Sequence, residues 1–146
     1  MIKDKEDIFF IGRKLDYAMC LEGSLKLKEV SYIHSEAYQA GELKHGTISL
    51  IEEGMPVFSI ITDDEVADKT YSNLLEVASR GATTILITKK SLKQGIDNEI
   101  LVDDMSDFTI SLLVIPILQI IAYYTALERG CDIDKPKNLA KSVTVE

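Results

Sequence analysis

Two uncharged runs, "VFSIIT" at 57–62 and "TTILIT" at 83–88, are separated by residues 63–82. Continuous apolar runs of this kind belong to strands covered on both faces, as in parallel sheets, and parallel strands need a long crossover between them. The intervening "EVADKTYSNLLEVASRG" supplies one. Val66, Thr70, Leu74 and Val77 recur about once per helical turn, Asp63 or Asp64 stands where a helix N-cap is wanted, and Gly81 stands where a helix ends. One strand-helix-strand unit therefore commits the chain to an α/β fold.

The rest of the chain extends that unit. "DIFFIG" (7–12) reads as a strand, "DYAMCLEGSLKLKEVSYI" (16–33) as a helix and "EILVD" (99–103) as a short strand. The order strand, helix, strand, helix, strand, short strand, helix predicts a three-layer α-β-α domain with a parallel, flavodoxin-like sheet. Ligands of such sheets bind beyond the carboxyl ends of the strands, so Gly12 and Thr62 mark the expected position of a site.

The closing helix is ambiguous by length alone. "FTISLLVIPILQIIAYYTAL", Phe108 to Leu127, has 20 residues without a charge, enough to cross a bilayer. Its Thr109, Ser111, Pro116, Gln119 and Thr125, with acid-rich flanks on both sides, predict a core or interface helix instead. Residues 1–130 are then one folded unit. Residues 131–146, "CDIDKPKNLAKSVTVE", follow Gly130 and contain Pro136, so they read as a frayed tail or an arm.

A net charge of −8 and a pI near 4.8 exclude a sequence-independent grip on nucleic acid or anionic lipid. A small molecule or a protein remains. Cys20 and Cys131 lack metal spacing and read as reduced, buried thiols, and no metal or other cofactor is expected. There is no GxxxxGK[ST] or GxGxxG motif, and the turns "GRKLDY" and "TDDE" lack the serine-rich donors that cradle a phosphate. The charged start "MIKDKEDIFFIG" is unlike a signal peptide, so a cytoplasmic location is expected.

Chemistry-bearing residues concentrate between positions 22 and 46. Glu22, Lys26 and Glu29, spaced i, i+4, i+7, share one helix face, either as a surface ion pair or as a glutamate poised for proton transfer beside a lysine. His34, following Tyr32 and Ile33, reads as a packing histidine. His45, bracketed by Gly41 and Gly46, sits near a chain reversal where its ring is presented for proton exchange. Lys141, between Leu139, Ala140 and Val143, is a solvated lysine or, if covered, an amine nucleophile with a lowered pKa.

"LEGSLKLKEVSYIHSEAYQAGELKHG" together with the terminal "KPKNLAKSVTVE" resembles the C-terminal SIS (sugar isomerase) subdomain of the glucosamine-6-phosphate synthases, the isomerising glutamine:fructose-6-phosphate aminotransferases. The resemblance runs the whole chain. It implies an SIS sheet, and a larger dimeric enzyme that makes glucosamine 6-phosphate from fructose 6-phosphate and glutamine-derived ammonia. The first SIS subdomain and the glutaminase domain would be partners. Position by position, Glu29 matches the carboxylate that moves a proton between C1 and C2. His45 matches the ring-opening histidine lent by the neighbouring subunit, and Lys141 the Schiff-base lysine. Ala140 matches a backbone contact to substrate, and Glu22 and Lys26 match supporting positions, so the 131–146 segment becomes an arm of the active site.

Two positions depart from the family pattern: Lys14 where glycine is common after "GR", and Thr47 where proline follows "LKHG". Because the serine- and threonine-rich phosphate loop belongs to the other SIS subdomain, little turnover is expected of this chain alone. A sugar-phosphate-binding module without catalysis and a related amino-sugar-phosphate deglycase are the alternatives. The "SVTVE" ending argues against the deglycase.

Overall fold

Five parallel strands, β1 (Asp7–Gly12), β2 (His34–Gln39), β3 (Pro56–Ile61), β4 (Thr83–Lys89) and β5 (Glu99–Val102), form one sheet in the order β2-β1-β3-β4-β5. The structure, a computed structural model, describes residues 2–137 and 139. Helices α1 (Lys14–Ser31), α2 (Ala67–Ala78) and α3 (Asp107–Glu128) connect and cover the strands, and a 3-10 turn, Ala40–His45, follows β2. The α/β class and parallel sheet expected from the sequence are present, with one strand more than expected.

Side-chain alternation divides the core. Ile8, Phe10, Phe58, Ile60, Ile85 and Ile87 pack towards the layer of α1 and α3. Phe9, Ile11, Val57, Ile61 and Leu86 pack towards α2 and the 3-10 turn. β3 is buried at every residue, which explains its unbroken apolar run. The rings of Phe10 and Phe58 stack at 4.8 Å.

α3 turns an inner ridge, Ile110, Val114, Leu118, Ala122 and Ala126, against α1 and the sheet. This every-fourth-residue row is an i±4 packing ridge. Gly23 lets the two helices approach, since a Cβ there would stand 3.0 Å from a Leu118 methyl. One ridge of the uncharged segment thus belongs to the core. Its outer ridge of Phe108, Leu112, Ile120 and Tyr124 stays exposed, Phe108 at 77%.

Four sequence expectations need correction. "HSEAYQ" forms β2, an edge strand whose polar composition concealed it. His34 does not pack. Tyr32 adopts φ 60, which turns the chain so that Ile33 enters the core, while the exposed His34 ring places Nδ1 2.5 Å from Asp7 Oδ1. Neither Asp63 nor Asp64 caps α2. Asp63 accepts the Glu65 amide at 2.8 Å and closes the preceding turn, and Asp64 pairs with Lys89. Cys20 is buried as expected, but Cys131 only partly.

α1 follows β1 on one face and α2 follows β3 on the other, so the sheet reverses its winding between these neighbours. The buried Asp16 carboxylate bolts the reversal. It accepts the Thr62 amide at 2.9 Å and the Thr62 hydroxyl. Gly12 makes the turn possible, because a Cβ there would come within 2.7 Å of the Asp16 backbone carbon.

Two stability predictions follow from these contacts. Gly12→Ala meets backbone that cannot yield, and lowers unfolding free energy in urea by about 3 kcal/mol. Gly23→Ala meets only the flexible ends of Leu118 and Phe10 and costs about 1 kcal/mol or less. Burial raises the Asp16 pKa above its ordinary 3.8, outweighing the Thr62 hydrogen bonds. The folded state therefore keeps a proton that the unfolded state has released. Stability contributed by Asp16 is complete below the ordinary value, falls as pH rises through the raised one, and is level beyond it. The unfolding free-energy difference between the native chain and Asp16→Asn, followed from acid to neutral pH, should trace that fall; a flat difference would contradict it.

Candidate active site

α1 brings Glu22, Lys26 and Glu29 together as their spacing predicts. Lys26 Nζ lies 2.8 Å from Glu29 Oε2 and 3.7 Å from Glu22 Oε1, and all three side chains are partly shielded. The Glu29 carboxylate holds Lys26 above the ordinary lysine range, so Lys26 is an ammonium at neutral pH. It fixes the orientation of Glu29 by a charge-assisted hydrogen bond.

His45 ends the 3-10 turn, where Gly46 takes φ 138 and redirects the chain. Its ring is 75% exposed, with Nε2 3.8 Å from Glu42 Oε2. The ring is presented, as the bracketing glycines suggested. Glu29 and His45 are not brought together. α1 runs back along the sheet, so Glu29, four turns from its start, is displaced about 22 Å towards the amino edge of the strands. His45 follows β2 at the carboxyl edge.

Ala140 and Lys141 lie outside the described residues. The chain leading to them is tied down at residue 137. The Lys137 amide donates to Tyr32 Oη at 2.6 Å and its ammonium lies 5.4 Å from the Tyr32 ring centroid. Tyr32 caps α1, three residues beyond Glu29.

At the carboxyl edge, Lys14 reaches Asp63 at 3.1 Å and Glu65 at 2.5 Å, and the buried Lys89 reaches Asp64 at 2.6 Å. Arg13 donates through Nη2 to Asn73 Oδ1 at 3.0 Å. Sequence reading named Lys14, Asp63 and Asp64 only in other roles and did not single out Arg13, Glu65, Asn73 or Lys89, although Arg13 directly follows the glycine that ends β1. Among the described residues no three His, Cys, Asp or Glu side chains converge as metal ligands.

Residues 1–126 match the SIS domain family. The chain is 55% identical over 145 residues to the glutamine–fructose-6-phosphate aminotransferase (isomerizing) of Clostridium tetani, a match of 97% of this chain and 24% of that protein. It is equally 55% identical over 138 residues to the Bacillus subtilis enzyme of that name, covering 94% of this chain and 23% of the enzyme. The chain thus spans about a quarter of the length of the curated relatives it matches. Among solved structures, the C-terminal domain of glucosamine-fructose-6-phosphate aminotransferase from Francisella tularensis superposes with a TM-score of 0.85 at 43% identity, over 91% of this chain and 38% of that one. Glucosamine-6-phosphate deaminase from Thermotoga maritima superposes with a TM-score of 0.75 at 30% identity, over 97% of this chain and 41% of that one. By its sequence and by the course of its five parallel strands, the chain belongs to the SIS domain family.

Proposed function

We propose that this chain forms the C-terminal half of the isomerase domain of a cytoplasmic glutamine:fructose-6-phosphate aminotransferase. In this reading the full enzyme condenses ammonia with the open ketose at C2, releasing water, and Glu29 then takes a proton from C1 and returns one to C2. Lys141 holds the ketose as a Schiff base before ammonia replaces it, and the backbone of Ala140 contacts the sugar. His45 opens the sugar ring in the active site of a second subunit, because its own Glu29 lies at the other end of the sheet. Glu22 and Lys26 orient Glu29.

The observation that carries this reading is the tether of Lys137 to Tyr32. It starts the arm beside the end of α1, and the four residues from 137 to 141 span at most about 14 Å. That reach supports the reading in which Lys141 acts together with Glu29. The bare outer ridge of α3 supports the larger assembly. It runs into an apolar groove of about 560 Å³ lined by Phe58, Ile85, Ile100, Ile120 and Tyr124. An uncharged ridge this long needs cover, and the first SIS subdomain of the same polypeptide is the occupant we assign. The glutaminase domain supplies ammonia, and no membrane or nucleic acid takes part.

In the full-length enzyme, Glu29→Gln should lower kcat for glucosamine 6-phosphate by about a thousandfold and leave glutamine hydrolysis intact. Unchanged synthesis would favour a module that only binds sugar phosphate. Borohydride reduction in the presence of fructose 6-phosphate should trap sugar on Lys141, and Lys141→Arg should abolish the adduct. The chain alone should convert no fructose 6-phosphate to glucose 6-phosphate in a coupled assay; appreciable turnover would show that the other half-site is dispensable.

A further inference from the structure

Two lysines at the carboxyl edge of the sheet are matched by carboxylates. Lys14 faces Asp63 and Glu65, and Lys89 faces Asp64. Arg13 faces no carboxylate among the described residues. Its Nη2 donates to the neutral Asn73 amide oxygen, and its Nε is sealed from solvent without an acceptor. A half-buried guanidinium cannot shed its proton to relieve this, since arginine stays charged throughout the accessible pH range. Its charge calls for a counter-ion from outside the fold.

The setting of Arg13 is a built one. The guanidinium packs close against Gly41, where an added Cβ would fall 2.9 Å from Nη2 and 3.0 Å from Nη1. Gly41 and Asn73 together fix the fork across the point where the winding of the sheet reverses. Above it opens a cavity of about 410 Å³ between α2 and the 3-10 turn, lined by Arg13, Lys44, Lys69, Asp68, Ser72 and Asn73. Three cations thus meet one carboxylate, Asp68. Lys44 shares its charge with Glu76 at 3.2 Å, while Lys69 has no ion-pair partner among the described residues. The protein around this cavity carries a net charge of −8, so a local cationic excess stands out from its surroundings.

We infer that the cavity floored by Arg13 is an oxyanion site that takes a phosphate group. A phosphate would lie against the Nη edge of Arg13, with Lys69 and the Ser72 hydroxyl on the α2 side and Lys44 on the side of the 3-10 turn. Planar, multiply donating guanidinium suits this ligand better than a single ammonium would. The site lies where ligands of doubly wound sheets bind, yet uses neither Glu29 nor His45. It stands or falls independently of the catalytic roles proposed above.

The test is a titration of the isotope-labelled chain with inorganic phosphate and, separately, with fructose 6-phosphate, at ionic strength held constant with sodium chloride. The amide signals of Gly41 and the side-chain amide of Asn73 should shift and saturate at millimolar ligand. Arg13→Met should weaken the apparent affinity by at least about tenfold, and Lys69→Gln by about threefold. A tighter hold on fructose 6-phosphate than on phosphate assigns the site to a phosphorylated sugar; equal affinities assign it to the bare oxyanion. Shifts reproduced by chloride alone, or no saturable shift at these two amides, overturn the proposal. If Arg13→Met fails to fold, Lys69→Gln decides, and an affinity equal to that of the native chain overturns it.

Discussion

A parallel sheet must be covered on both faces, and every layer of this molecule answers that requirement at β3. The strand is buried from Pro56 to Ile61, so each of its faces demands a partner. α1 and α3 supply one and α2 with the 3-10 turn the other. Each fully buried Ile or Phe contributes about 1.5 to 3 kcal/mol relative to exposure. That dictates the composition of α3. Its inner ridge satisfies the sheet and α1, while its outer ridge, equally apolar, stays exposed.

The parts of the fold legible in the sequence are those whose burial leaves a regular apolar pattern, a continuous run or a helical period. β3 and β4 carry apolar runs because both faces are covered, and α2 shows a clean period because only one face is. β2 failed this reading for the same physical reason. As an edge strand it has one neighbour, β1, and tolerates His34, Glu36 and Gln39. Spacing alone exposed the Glu22, Lys26, Glu29 row, since the helix is local. The bracketing glycines exposed His45. Asp16 with Thr62, and Arg13 with Asn73, lie 46 and 60 residues apart and are joined only by the reversal of the winding. No periodic pattern in the chain records such pairs.

The two departures from the family pattern gain a physical reading from the backbone. Lys14 takes φ 51, a region where glycine is at ease and other residues are strained by roughly 1 kcal/mol. The turn therefore keeps a glycine-like conformation without glycine, and Lys14 recovers contacts to Asp63 and Glu65 that glycine lacks. Thr47 opens a second 3-10 turn, Thr47–Leu50. The first position of a helical turn is one that proline also fits, because its missing N–H is not needed there.

α1 carries the Glu22, Lys26, Glu29 row away from the carboxyl edge. A helix returning along a parallel sheet must run antiparallel to the strands, so Glu29 and His45 are separated by the length of the sheet in any single copy. The rise of α1 from Lys14 to Glu29, about 22 Å, is more than side-chain movement can close. At the end bearing Glu29, Tyr32 accepts the Lys137 amide. At the end bearing His45, Gly41 of the same 3-10 turn packs against the guanidinium of Arg13, so the turn that presents the histidine also borders the cavity that Arg13 floors.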